Sequence, residues 1–156
     1  MISRFLLPSA FAALFTPGWA ADYDGPRPPK PDLLYLVHAD NLIPTEAAEA
    51  KNEKGDTYTV QGASSSARTP IAEPIFIMQS DRLNPESIEL YRFEVKNGHR
   101  ETTVSSRGRR SGRPLHLQVT KLDRNLYRIE AAETLENGEY CLTPSGSNRV
   151  FCFEEY

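Results

Sequence analysis

The stretch that decides the fold is EYCLTPSGSNRVFCFEE, residues Glu139 to Glu155. Two runs rich in aromatic and aliphatic residues flank Gly146-Ser147, a pattern typical of a β-hairpin. A type II′ turn on Gly146-Ser147, or a four-residue loop from Ser145 to Asn148, gives one register, in which the numbers of opposed residues sum to 293. That register places Cys141 directly opposite Cys152.

The two faces of this hairpin have different compositions. One face carries four large apolar residues and belongs in a core: Tyr140, Leu142, Phe151 and Phe153. The other carries both cysteines, at a cross-strand spacing of about 4.5–5.5 Å, which is within disulfide reach. We therefore predict a Cys141–Cys152 disulfide, with free buried thiols or intermolecular bridges as the alternatives. Its short ring implies roughly 3 kcal/mol of stabilisation, and nothing in the spacing indicates redox chemistry.

The rest of the chain from Leu33 onward also has β patterning. Asn97-Gly98 between two alternating runs is a strong hairpin signal. The predicted strands are Leu33 to His38, Thr57 to Val60, Pro74 to Gln79, Ser87 to Lys96, His99 to Ser105, Leu115 to Val119, Tyr127 to Ala131, Tyr140 to Thr143 and Arg149 to Phe153. Eight or nine short strands predict an all-β domain over residues 33–156, a single antiparallel β-sandwich of immunoglobulin-like type with at most one short helix.

Two segments leave the local structure open. The alternation in Ser87 to Lys96 changes face near Leu90 and Tyr91, which predicts a β-bulge there. Thr45 to Lys54 has a capping threonine, glutamates in its first turn and Gly55 after its end, all typical of a helix. The same segment could instead form a hairpin with Thr57 to Val60, turning at Lys54-Gly55.

The N-terminus has the pattern of an export signal. Arg4 precedes an apolar stretch from Phe5 to Phe15, and Gly18-Trp19-Ala20 forms a small-residue cleavage site. The apolar stretch is shorter than the roughly 18 residues of a membrane span. We predict a signal peptide over residues 1–20, no transmembrane span after cleavage, and a periplasmic or extracellular protein without tryptophan. Residues 21–32 contain four prolines and predict an extended arm.

Composition limits the class of partner. The formal net charge of the 156-residue chain is −3, and removal of Arg4 with the signal makes it −4. A general nucleic-acid binder would show a broad basic excess, so no nucleic-acid partner is predicted.

A search for catalytic or metal-binding motifs yields little. No GxSxG elbow is present, and Ser64 to Ser66 have no neighbouring His or Asp pattern. His38 and Asp40 form at most a two-ligand fragment, and His99 and His116 lie in other segments. We therefore predict no enzyme activity, no metal site and no cofactor.

One polar feature stands out on this acidic chain. RGRRSGR, residues 107–113, contains Arg107, Arg109, Arg110 and Arg113. Arginine binds carboxylates and phosphates through paired donors, so this loop is the candidate site for an anion or a partner. The alternative is a solvated connection between strands.

These patterns predict an exported, non-catalytic interaction or structural module of the cell envelope or surface, whose partner could be an envelope protein. The second hypothesis is a binding module for a glycan or an anionic ligand, such as an acidic polysaccharide, that uses the arginine loop. A small secreted hydrolase is the third.

Overall fold

A computed structural model describes residues 22–104 and 112–156 of the chain. The predicted signal peptide therefore lies outside the described residues, as do Arg107, Arg109 and Arg110. The strands are β1 Tyr35–His38, β2 Asn41–Pro44, β3 Glu46–Glu49, β4 Lys51–Lys54, β5 Thr57–Gln61, β6 Arg68–Thr69, β7 Ile75–Gln79, β8 Ile88–Lys96, β9 His99–Thr103, β10 Leu117–Asp123, β11 Leu126–Ala131, β12 Gly138–Pro144 and β13 Arg149–Glu155. A 3₁₀ turn, Pro85–Ser87, precedes β8.

The strands form two packed sheets, which confirms the predicted all-β sandwich. The smaller sheet has the order β10-β11-β7-β1-β2. The larger has the order β3-β13-β12-β8-β9-β5-β4, with the short β6 beside β13. The immunoglobulin-like detail of the prediction is not confirmed by this order. None of the residues that the structure describes belong to a helix long and apolar enough to cross a membrane.

The main core lies between the sheets. Phe76 and Met78 of the smaller sheet are fully buried, as are Phe151 and Phe153 of β13. The rings of Phe76 and Phe153 meet edge-on with their centroids 5.0 Å apart. Each fully buried side chain of this size contributes roughly 1.5–3 kcal/mol of transfer free energy, so this layer carries much of the fold's stability.

The larger sheet closes on itself. The two ends of its strand order are β3 and β4, and a single residue, Ala50, separates them in the chain. One extended segment therefore pairs with β13 through β3 and with β5 through β4. The resulting rolled sheet has an interior with its own apolar cluster, made only of residues on this sheet or directly attached to it: Ala50, Val60, Tyr91, Phe93, Cys141, Val150 and Cys152.

The closure explains why the predicted bulge in β8 is wrong. The register of β8 with β12 runs without a shift from Glu139↔Phe93 to Pro144↔Ile88. Leu90 packs in the main core, whereas Tyr91 and Phe93 pack inside the rolled sheet. The first part of β8 is buried on both faces, so apolar residues occur on both without any change of backbone direction.

Of the two alternatives for Thr45 to Lys54, the helix is wrong and the hairpin is confirmed only for Lys51–Lys54, with its turn at Gly55-Asp56 rather than Lys54-Gly55, whereas Glu46–Glu49 pairs with β13. Lys51 pairs with Thr59, and the chain turns at Gly55, whose φ is +59°. Thr45 does not cap a helix, because its hydroxyl and its backbone N–H both donate to the carbonyl of Leu34, at 2.7 and 3.1 Å. Ala50 is buried in the interior cluster and Ala48 packs against it, whereas Ala47 is exposed.

Both predicted hairpins are found. Lys96 pairs with His99 around Asn97-Gly98, where both residues have positive φ. In the last hairpin Tyr140, Cys141 and Leu142 face Phe153, Cys152 and Phe151. The strand ends confirm the loop from Ser145 to Asn148, whereas a turn centred on Gly146-Ser147 is wrong, because the N–H of Ser147 donates to the carbonyl of Pro144.

The proline-rich segment, described from residue 22, lacks helix and strand, and it is fastened at its end. The carboxylate of Asp32 accepts from the backbone N–H groups of Asp81, Arg82 and Leu83 at 2.9–3.0 Å. Its own carbonyl accepts from Arg149 at 3.2 Å. Burial alone would disfavour the charge, but these N–H donors and the Arg149 guanidinium hold the pKa of Asp32 below its usual value.

Candidate functional site

An ionic cluster closes one end of the rolled sheet. The side chain of Arg100 in β9 points inward and is 1% exposed. Its guanidinium donates to the carbonyls of Gln61 and Gly62, to Ser65 Oγ and to Glu46 Oε1, at 2.6–2.9 Å. A buried guanidinium is tolerated only when its donors are satisfied in this way.

The loop after β5 completes this closure. The backbone N–H of Ser65 donates to Glu139 Oε1 at 3.0 Å, and its hydroxyl donates to Glu139 Oε2. The N–H of Ser66 donates to Glu46 at 2.7 Å. The serine segment that carried no catalytic pattern in the sequence is thus a structural plug, in which the Ser65 hydroxyl is buried and already bonded.

The disulfide lies in the middle of the interior. Cys141 and Cys152 are bonded to each other, which confirms the predicted pair, and both are fully buried. The bond joins β12 to β13, neighbouring strands of the rolled sheet. It therefore links two strands that line the interior and limits how far they can separate.

The other end of the rolled sheet is open and holds a cavity of about 90 Å³. Its walls include Tyr58, Tyr91, Phe93 and Val150, and Cys141 also lines it. Glu89, Thr143 and Ser147 supply polar atoms at the lining, together with Thr102. The volume corresponds to about three water molecules, or to one side-chain-sized group. Mostly apolar walls with a few convergent polar groups are typical of the lining of a ligand site, although whole-ligand sites usually have volumes of about 300 Å³ or more.

One titratable pair lies in this cavity. The hydroxyl of Tyr91 donates to Glu89 Oε2 at 2.8 Å. Burial, and then this bond to the carboxylate, raises the pKa of Tyr91 well above its usual value, so the phenol stays protonated. Glu89 is half-buried, and among the described residues it forms no ion pair with a basic side chain.

Only Arg113 of the four predicted arginines lies within the described residues. It lines a groove of about 510 Å³ together with Arg92 and Lys96. The same groove holds three carboxylates: Glu94, Glu101 and Glu136. Arg92 donates to Glu136 at 2.7 Å and Lys96 lies 2.8 Å from Glu101, so much of the positive charge is already balanced.

His38 and Asp40, the two-ligand fragment considered in the sequence, do not lie on one strand. His38 ends β1 and Asp40 lies in the turn to β2, and both are exposed. His99 in β9 lies 3.0 Å from Glu101, and His116 is exposed just before β10. Within the two described ranges, no group of three or more His, Cys, Asp or Glu side chains could hold a metal ion.

Sequence reasoning missed the residues at both ends of the rolled sheet. A signal for the open end was present, since Glu89, Tyr91 and Phe93 alternate along β8 and share one face. Without a second buried face, the same alternation favours a bulge. Arg100 had no such signal, because the sequence does not show which strand face a lone arginine occupies.

In comparisons with known proteins, no family model matches the chain, and no curated protein or solved structure matches it. The candidate site is therefore assigned from the chemistry of its own residues.

Proposed function

We propose that the protein is an exported, non-catalytic binding module of the cell envelope or surface, and that it binds through the cavity at the open end of the rolled sheet. The observation that carries the proposal is this cavity, with its aromatic and apolar walls, its few polar groups and a disulfide beside it. A closed sheet with a plugged far end holds such walls in place before a ligand arrives, which lowers the entropic cost of binding.

Export is supported by two independent features. The N-terminal residues have the signal pattern, and the cysteine pair suits an oxidising compartment. The test is the intact mass of the protein recovered from the envelope or medium. We expect a chain that begins at Ala21 or Asp22, and a mass that retains Trp19 would contradict the proposal.

The binding site is tested by blocking its rim. Ser147 lines the cavity and is exposed, so Ser147→Trp places a large ring at the opening. Ser145→Trp, two residues away in the same loop and outside the lining, is the matched control. We expect any component captured from envelope extract to be lost with Ser147→Trp and kept with Ser145→Trp. Equal capture by both variants would show that the captured component binds outside the cavity.

An anion-binding module is the second candidate, supported by the position of Arg113 in a groove with Arg92 and Lys96. Its test replaces Arg107, Arg109, Arg110 and Arg113 with serine and measures binding to an acidic polysaccharide at several salt concentrations. Exposed charge attraction is screened over about 8 Å at physiological ionic strength, so salt should weaken this binding in the unsubstituted protein. Equal binding by both proteins would leave the loop as a solvated connection.

A further inference from the structure

The lining of the end cavity has an unusual charge composition for this protein. Among the residues that the structure describes, it contains one carboxylate, Glu89, and no lysine, arginine or histidine. Two of the larger surface grooves differ, since one contains Lys51 and His99 and the other contains Arg92, Lys96 and Arg113. An anionic ligand in the end cavity would meet Glu89 without a compensating cation from the described part of the lining.

The walls of the cavity provide a second, independent preference. Tyr58, Tyr91 and Phe93 all line it. Among the described residues, the arginines that lie over aromatic rings use the rings of Tyr23, Tyr140, Phe151 and Tyr156. No described cation of the chain therefore occupies the rings of the cavity. Aromatic rings attract ammonium groups through their quadrupole, by about 0.5–2 kcal/mol depending on desolvation.

The hydrogen bonds at Glu89 define how a cation would be held. Tyr91 donates to Oε2 and so fixes the carboxylate at the cavity wall. The other oxygen, Oε1, accepts no hydrogen bond from the described residues. Thr102 and Thr143 line the same space, and a threonine hydroxyl oxygen can accept a hydrogen bond even while its proton is donated elsewhere, as that of Thr143 is to the carbonyl of Arg149 at 2.8 Å. An ammonium group has three donors and no acceptor, which matches a carboxylate and hydroxyl oxygens beside aromatic rings.

We infer that the end cavity binds an alkylammonium group, carried either by a small amine or by the lysine side chain of a partner. This inference rests on the proposed binding function and names its ligand class. The cavity admits only a group about the size of a side chain, so the rest of a larger ligand stays outside the rolled sheet.

The probe for the test is n-butylammonium, and 1-butanol and butyrate are its neutral and anionic counterparts of similar size. Each is titrated into the isotopically labelled exported protein at matched ionic strength while backbone amide shifts are followed by NMR. We expect n-butylammonium to shift the amides of the cavity residues, butyrate to leave them unchanged, and 1-butanol to bind at least several-fold more weakly.

Glu89→Gln keeps an acceptor for Tyr91 but removes the charge. We expect it to weaken n-butylammonium binding roughly tenfold and to leave the weak 1-butanol response unchanged. Glu86→Gln is the matched control, because Glu86 is exposed in the turn before β8 and lies outside the lining. It should bind n-butylammonium like the unsubstituted protein.

The source of the ammonium group is distinguished with blocked lysine, N-acetyl-lysine methylamide, and its norleucine analogue. Tighter binding of blocked lysine than of n-butylammonium supports a partner's side chain, and the reverse supports a free amine. Equal binding of 1-butanol and n-butylammonium, or no loss with Glu89→Gln, would overturn the ammonium inference alone. If none of the probes shifts the cavity amides, the proposed site itself is also wrong.

Discussion

At one end of the rolled sheet Arg100 and Glu139 are almost fully buried, whereas at the other end Glu89 is half-buried beside an open cavity. In the first case a cation meets two carboxylates, Glu46 and Glu139, and the loop between β5 and β6 adds further bonds. In the second case a carboxylate meets a tyrosine hydroxyl and no described cation.

The buried charges at the plugged end stabilise the fold, whereas the charge at the open end is available to a ligand. At the plugged end the polar groups are satisfied within the chain, so they have no capacity left for a ligand. At the open end Glu89 keeps one carboxylate oxygen without a described partner, next to aromatic walls. Substitutions at the plug should therefore change stability, and substitutions at the opening should change binding.

The largest effect is expected for Arg100→Met. It leaves the carboxylates of Glu46 and Glu139 without their buried cation, and removing one partner of a buried pair costs about 3–5 kcal/mol. Urea unfolding should show this loss. Arg92→Met is the matched control on the neighbouring strand. Its ion pair with Glu136 is largely solvent-exposed, so the change should cost about 1 kcal/mol or less. Equal losses of stability in the two variants would show that the buried cluster contributes no more than a surface ion pair.

The next effect is expected for the double variant Cys141→Ala, Cys152→Ala. The bridge spans a sequence separation of 11 residues, and the loss of so short a loop constraint costs about 3 kcal/mol in the chain-entropy model. Thermal unfolding of the unsubstituted protein with and without reductant provides the comparison. Reductant should lower the Tm of the unsubstituted protein and leave that of the double variant unchanged.

A smaller effect is expected for Asp32→Asn, and it depends on pH. The folded state lowers the pKa of Asp32, so its contribution is present above the unfolded pKa of about 3.9 and is lost as pH falls through the folded value. At neutral pH the variant should be less stable by roughly 1–2 kcal/mol. The difference between the two proteins should shrink below about pH 4. A difference that stays constant down to pH 2 would show that charge plays no part.

The smallest effect on stability is expected for Glu89→Gln. Gln keeps an acceptor for the Tyr91 hydroxyl, and the site is open to solvent, so unfolding should change by no more than about 0.5 kcal/mol. Unfolding in urea without added amine is the measurement. A loss as large as that of Arg100→Met would mean that Glu89 belongs to the structural framework.

The sequence by itself determined the hairpins. In the last hairpin, the period-2 pattern of side chains and the loop length set the register that joins Cys141 to Cys152. Asn97-Gly98 determined the turn between β8 and β9 in the same way, because both positions need positive φ. These features depend on residues close in the chain, so local pattern is sufficient to predict them.

Tertiary structure decided how the strands close around an interior. Thr45 to Lys54 has local helix signals, but strand pairing stabilises it as an extended segment. Its first half pairs with β13, which is distant in the chain, and its second half pairs with the neighbouring β5. That closure buries the second face of β8 and so creates the cavity at Tyr91 and the plug at Arg100. A sequence pattern records that a face is apolar, but which distant strand covers that face depends on contacts that no local pattern contains.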